Sequence, residues 1–147
     1  MCQKQEFSYD PKILELTEHT VDFRGSVHYS GRLYAVILKQ SEPAPSAQQI
    51  KLGLNSFNMK MPEGNKVMIT MIVDLSMKYA FWPYSDKIKF TNLFFNTIYN
   101  VYFAADRDCD GYYELIDEKS MRFVTVKTSY EEFVMPEYIK VLTNPKG

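Results

Sequence analysis

The densest run of ligand-type side chains is Asp106-Arg107-Asp108-Cys109-Asp110-Gly111-Tyr112-Tyr113-Glu114-Leu115-Ile116-Asp117. Carboxylates fall at its first, third, fifth and twelfth positions, with Gly at the sixth, which is the spacing of a calcium loop. Gly111 permits the sharp turn that lets alternate side chains converge, and Tyr112 offers a backbone carbonyl at the seventh position. Asp106, Asp108, Asp110, Tyr112 and Asp117 are therefore the candidate Ca2+ ligands, with the weak affinity of extracellular modules. Asp117 has a shorter arm than the Glu usual at the twelfth position, and both flanks read as strands rather than helices. The alternative is a solvated acidic hairpin loop that holds no metal.

A second cluster, Lys78-Tyr79-Ala80-Phe81-Trp82-Pro83-Tyr84-Ser85, concentrates aromatic rings. Tyr79, Phe81, Trp82 and Tyr84 could form an exposed interaction anchor, stiffened by Pro83. The competing reading caps one end of the core with them, since large aromatics are mostly buried. Catalytic chemistry finds little material. Two His and two Cys are scattered along the chain. Cys109 with His19 or His28 would need a base, an orienting group and an oxyanion site that the spacing does not supply. There is no Gly-rich phosphate loop, zinc ligand pair or nucleophile elbow. The chain reads as a non-enzyme.

Composition bounds the remaining classes. The 147 residues (17.2 kDa) suit one domain, large enough to fold without a staple. With 46% apolar and 15% aromatic residues the chain is not a disordered one. Seventeen basic residues against eighteen acidic ones leave a net charge of −1, so no basic excess is present to neutralise phosphates. No apolar run approaches the ~18 residues of a membrane span, and the first residues lack the apolar core of a secretory signal.

Alternation is the main structural signal. From Thr20 to Val27, Val21, Phe23, Gly25 and Val27 face one way and Asp22, Arg24 and Ser26 the other, as in a half-buried strand. Leu33 to Leu38 is a continuous apolar run, which predicts a strand covered on both faces. Val67, Ile69, Met71 and Val73 alternate with Met68, Thr70, Ile72 and Asp74. Shorter alternations mark Lys87 to Phe90, Ile98 to Ala104 and Phe123 to Thr128. One segment departs from this pattern. Ser46 and Gln49 have capping-box spacing and Gly53 suits a helix end, so Ala47 to Leu52 is predicted as a short helix. After Thr128 the alternation fades into a linker, an edge strand or an arm that docks on a neighbour.

Leu93, Thr97 and Tyr99 stand in Leu93-Phe-Phe-Asn-Thr-Ile-Tyr-Asn-Val-Tyr-Phe-Ala at the spacing of the tyrosine-corner strand of fibronectin type III and immunoglobulin-like domains. The Gly31 to Leu38 strand, the Pro-Ser-Ala helix start and the Met121 to Thr128 strand add to this. Together they resemble the divergent fibronectin-like repeats of large surface and secreted proteins of protists and bacteria. The resemblance covers about residues 5 to 128. At the position of the family's core Trp this chain carries Val21 and Phe23. In such a fold the N-terminal end and the loop between the last two strands share a pole. A Cys2–Cys109 bridge would then close a loop of ~100 residues, worth up to ~4–5 kcal/mol; the alternative is two free thiols in a reducing compartment.

The sequence therefore predicts an all-β, about seven-stranded antiparallel Greek-key sandwich with a short helix near residues 46–53. Residues 1–128 form the sandwich and 129–147 a linker or docking arm. The resemblance implies a non-catalytic structural or interaction module of a larger surface, filament or multi-protein assembly, extracellular or at the cell surface. Its partners would be other protein chains, including copies of itself, and not nucleic acid. The alternatives are a calcium-binding adhesion-type module using Asp106–Asp117 and an accessory subunit of a large intracellular complex.

Overall fold

The structure, a computed structural model, describes residues 3–72, 88–115 and 121–128. It is an all-β sandwich. One sheet orders β1 (Phe7–Leu16), β2 (Val21–Val27) and β5 (Ile88–Phe90) as β1-β2-β5. The other contains β3 (Gly31–Lys39), β4 (Lys66–Met71), β6 (Thr97–Cys109), β7 (Tyr112–Leu115) and β8 (Arg122–Thr128), with the path β4-β3-β6 and both β7 and β8 on β6. Every pairing is antiparallel. Because β3 occupies one edge of β6 from Tyr99 to Arg107, β7 and β8 share the other edge. They act as one last strand in two pieces, which is why eight segments stand among the described residues where about seven were expected.

The two sheets meet over Phe23, which packs edge-on against Phe103 at 5.2 Å and Phe90 at 6.2 Å between ring centroids. Phe23 thus supplies the aromatic centre of the core, joined by Val21, Leu33, Ile37, Val101 and Val126. A second apolar layer lies on the outer face of the larger sheet. There Tyr34, Val36, Leu38, Tyr102 and Ala104 are covered by Ala47 and Ile50 of α1 (Ala47–Lys51) and by Met61. This explains the unbroken apolar run of β3: its odd members face the other sheet and its even members face the helix. The helix starts at Ser46, whose hydroxyl accepts from Gln49 N while the Gln49 side chain accepts from Ser46 N.

Two segments depart from the alternation. β2 is not half-buried. Asp22 and Ser26 on its polar face are 4% and 2% exposed, and the Ser26 hydroxyl lies 2.8 Å from that of Ser8 on β1. β1 is unmarked in the sequence, since Pro11 and three register shifts interrupt its period against β2. At β4 the strand ends at Met71, and the predicted continuation through Val73 and Asp74 lies outside the described residues. No helix among the described residues is long and apolar enough to cross a membrane.

Candidate functional site

β6 is the organising element. Thirteen residues at about 3.3 Å each carry it roughly 40 Å from one pole of the sandwich to the other. Its two ends hold the residues that the sequence singled out.

At the starting end, Tyr99 is 5% exposed and its hydroxyl oxygen accepts a hydrogen bond from Phe94 N at 2.8 Å. Leu93 is buried, its N–H donating to His19 O and its carbonyl 2.8 Å from His19 Nδ1. The Thr97 hydroxyl donates to Phe95 O, and its N–H donates to the Thr128 hydroxyl. Thr128, fully buried, donates in turn to Phe94 O. Leu93, Thr97 and Tyr99 therefore fix the chain crossing between the sheets to the start of β6 and the end of β8.

At the finishing end, β6 continues through Asp106, Asp108 and Cys109, so the first third of the acidic motif is strand rather than loop. Cys109 pairs with Tyr112, leaving a two-residue turn of Asp110 (φ 53°) and Gly111 (φ 95°). Positive φ at both positions is the Asp-Gly hairpin turn that matches strand twist. Asp108 Oδ1 accepts from Gly111 N at 2.9 Å and closes this turn.

Asp106 has a different role. It is fully buried on the helix-covered face. Oδ1 accepts from Arg32 N at 2.9 Å, and Oδ2 accepts from the Tyr34 hydroxyl at 2.6 Å and lies 3.3 Å from Lys51 Nζ at the end of α1. Burial, followed by the hydrogen bond to Asp106, pushes the Tyr34 phenol up to about 12. The Arg32 guanidinium is raised above its ordinary value chiefly by its hydrogen bond with Tyr34, and it also stacks 4.0 Å from the Tyr113 ring. Both carboxylate oxygens are thus engaged by donors of this chain. The arrangement ties α1 to β3 and β6; it is a clamp in which a buried anion is matched by donors and a cation. Among the described residues no group of three His, Cys, Asp or Glu side chains converges as metal ligands. Of the proposed calcium set, Asp106 faces Tyr34 and Lys51, Asp108 and Asp110 belong to the hairpin end, Tyr112 opens β7 and is 80% exposed, and Asp117 lies outside the described residues.

The same pole holds a feature that the sequence did not signal. Gln5 is 1% exposed, and its side chain donates to Tyr29 O (2.6 Å) and Asp106 O (2.9 Å) and accepts from Tyr29 N (2.9 Å). Arg107 donates to Gln3 O at 2.8 Å and stacks 3.5 Å from the Tyr29 ring. A polar residue near a chain end looks solvated in sequence; here it plugs the mouth of the sandwich. Cys109, two residues beyond Arg107, is disulfide-bonded, so its sulfur is no thiolate nucleophile. Cys2, the other cysteine of the sequence, lies outside the described residues, as do Tyr79, Phe81, Trp82 and Tyr84.

No protein-family model matches the chain, and no curated protein matches it.

Proposed function

We propose that this chain is a non-catalytic structural and protein-interaction module of the fibronectin type III or immunoglobulin-like kind, one component or repeat of a larger surface, filament or multi-protein assembly. The observation that carries the reading is the placement of the two ends of the sandwich. Gln3 is held beside Arg107 near the end of β6, whereas Thr128 is bonded to Thr97 at its start. The body therefore enters at one pole and leaves at the other, the geometry that allows modules to be joined in series. The three-stranded sheet facing the β4-β3-β6 sheet and the Tyr99 hydroxyl on Phe94 N support the family part of the reading. The disulfide at Cys109 favours an oxidising, extracellular or cell-surface setting over the intracellular one.

Gentle non-reducing extraction from the native source, followed by mass measurement of the particle, tests this. The module should be recovered in a species well above 17.2 kDa, either within a longer polypeptide or with other chains. Recovery only as a free 17.2 kDa species would overturn the reading.

A further inference from the structure

β3 bonds its two neighbours through alternate residues. Asp108 N donates to Ser30 O and Gln40 N to Ile98 O, so the even-numbered residues of β3 serve β6. Ile37 N donates to Asn65 O, so the odd-numbered ones serve β4. Within β4, Val67, Ile69 and Met71 therefore bond to β3, while Lys66, Met68 and Thr70 direct their backbone N–H and C=O away from it. Among the described residues no strand pairs with that outer edge. The edge also lacks the devices that keep strands apart. β1, an edge of the other sheet, carries Pro11, three register shifts and the charges of Asp10, Lys12 and Glu15. β5 is three residues long, and β8 carries Arg122 and Lys127. β4 has an unbroken register, no Pro and one charge, Lys66 at its start. From Val67 to Ile72 the chain is uncharged, with Met68 60% and Ile72 79% exposed.

We propose that this edge pairs with the same edge of a second copy of the chain, antiparallel about a two-fold axis at Met68. The larger sheet then runs on from β4 of one copy into β4 of the other. In that register Met68 faces Met68 of the second copy and Lys66 faces its Thr70, so every outward N–H meets a C=O. The charge pattern makes the strand complementary to itself. Antiparallel pairing sets the two Lys66 side chains four residues apart along the strand, about 13 Å, beyond the ~8 Å screening length of physiological salt. Parallel pairing would set them side by side on strands ~4.8 Å apart, where like charges destabilise. At the axis the two Met68 thioethers, flexible and polarizable, pack on each other. A contact of this kind uses the same patch on both copies and closes at two. It lies on the side of the sandwich and stands whether or not modules are joined through its poles.

The test is sedimentation equilibrium of the full chain from ~1 to ~100 μM, the range that reveals a pairing of roughly micromolar Kd. The parent mass should climb from 17.2 kDa towards twice that value. Met68→Lys and Met68→Glu each set like charges opposite one another at the axis, and each should weaken pairing at least about tenfold. Mixed in equal amounts, the two variants should pair again, because the axis then joins opposite charges. Met68 is exposed, so the body keeps its fold, and thermal unfolding of the separate variants verifies that. Thr70→Pro removes an outward N–H without touching the bonds to β3 and should also weaken pairing. Leu14→Lys, on the exposed side of β1, should leave the mass unchanged. A parent that stays at 17.2 kDa throughout would overturn the proposal and leave the edge to a strand of another protein. A dimer indifferent to the Met68 variants, or a mixture that fails to recover pairing, would overturn it as well.

Discussion

Removing either half of the Tyr34–Asp106 contact should destabilise the protein, and removing both should cost little more than removing Asp106. The 2.6 Å bond joins a phenol that is 3% exposed to a carboxylate that is fully buried. A hydrogen bond to a charged acceptor in that setting is worth about 1.5–3 kcal/mol, so Tyr34→Phe should lose roughly 2 kcal/mol. Asp106→Ala does more, because it strips the acceptor from Arg32 N, from the Tyr34 hydroxyl and from Lys51. Breaking a buried charged group away from its partners costs about 3–5 kcal/mol. In the double variant the phenol is gone and no orphaned hydroxyl remains, so the Tyr34 loss should largely vanish. Urea unfolding of the four proteins, with the slope checked for constancy, gives the coupling energy. A value near 1.5–2 kcal/mol is expected. Additivity of the two losses to within about 0.5 kcal/mol would refute the clamp.

Other outcomes follow from the same geometry. Tyr99→Phe leaves Phe94 N without its acceptor and should lower stability by about 1 kcal/mol; an unchanged urea midpoint would remove the anchoring role of that hydroxyl. Gly31→Ala should be worse, by roughly 2–4 kcal/mol, since a Cβ there would lie 2.0 Å from Asp106 O on the paired strand; thermal unfolding reads it. The Tyr34 phenol is raised in the folded state, so its contribution is complete below the ordinary phenol range and is lost as pH climbs from about 10 towards about 12. Tyr34→Phe should flatten that part of the stability curve. Asp106→Asn should destabilise equally with and without millimolar calcium; a loss seen only with calcium present would return Asp106 to the metal.

Much of this fold could be read from side-chain period. The unbroken run of β3 required cover on both faces, and the helix behind Ser46 and Gln49 provides it. What escaped reading was settled by tertiary context. Asp22 and Ser26 alternate like solvent-facing residues, yet the fold leaves them 4% and 2% exposed. Pro11 and the bulges of β1 erase its period without preventing pairing to β2. The acidic motif shows the limit most clearly. Its spacing is shared by calcium loops and by Asp-Gly hairpins, and spacing alone does not say where the preceding strand ends. Because β6 runs on to Cys109, Asp106 becomes a buried strand residue under α1, with its oxygens taken by Arg32, Tyr34 and Lys51. Gln5 gave no signal at all, since its value depends on backbone groups at Tyr29 and Asp106 that only the fold brings within reach.

Lysine cross-linking of the native material, with the linked sites mapped by mass spectrometry, bears most directly on the idea of a module joined through its ends. Lys4 flanks Gln5 at one pole and Lys127 precedes Thr128 at the other, while Lys12 and Lys89 are exposed on the β1-β2-β5 sheet. Links to neighbouring modules or chains should gather at Lys4 and Lys127. Links confined to Lys12 and Lys89, or none to any neighbour, would contradict it.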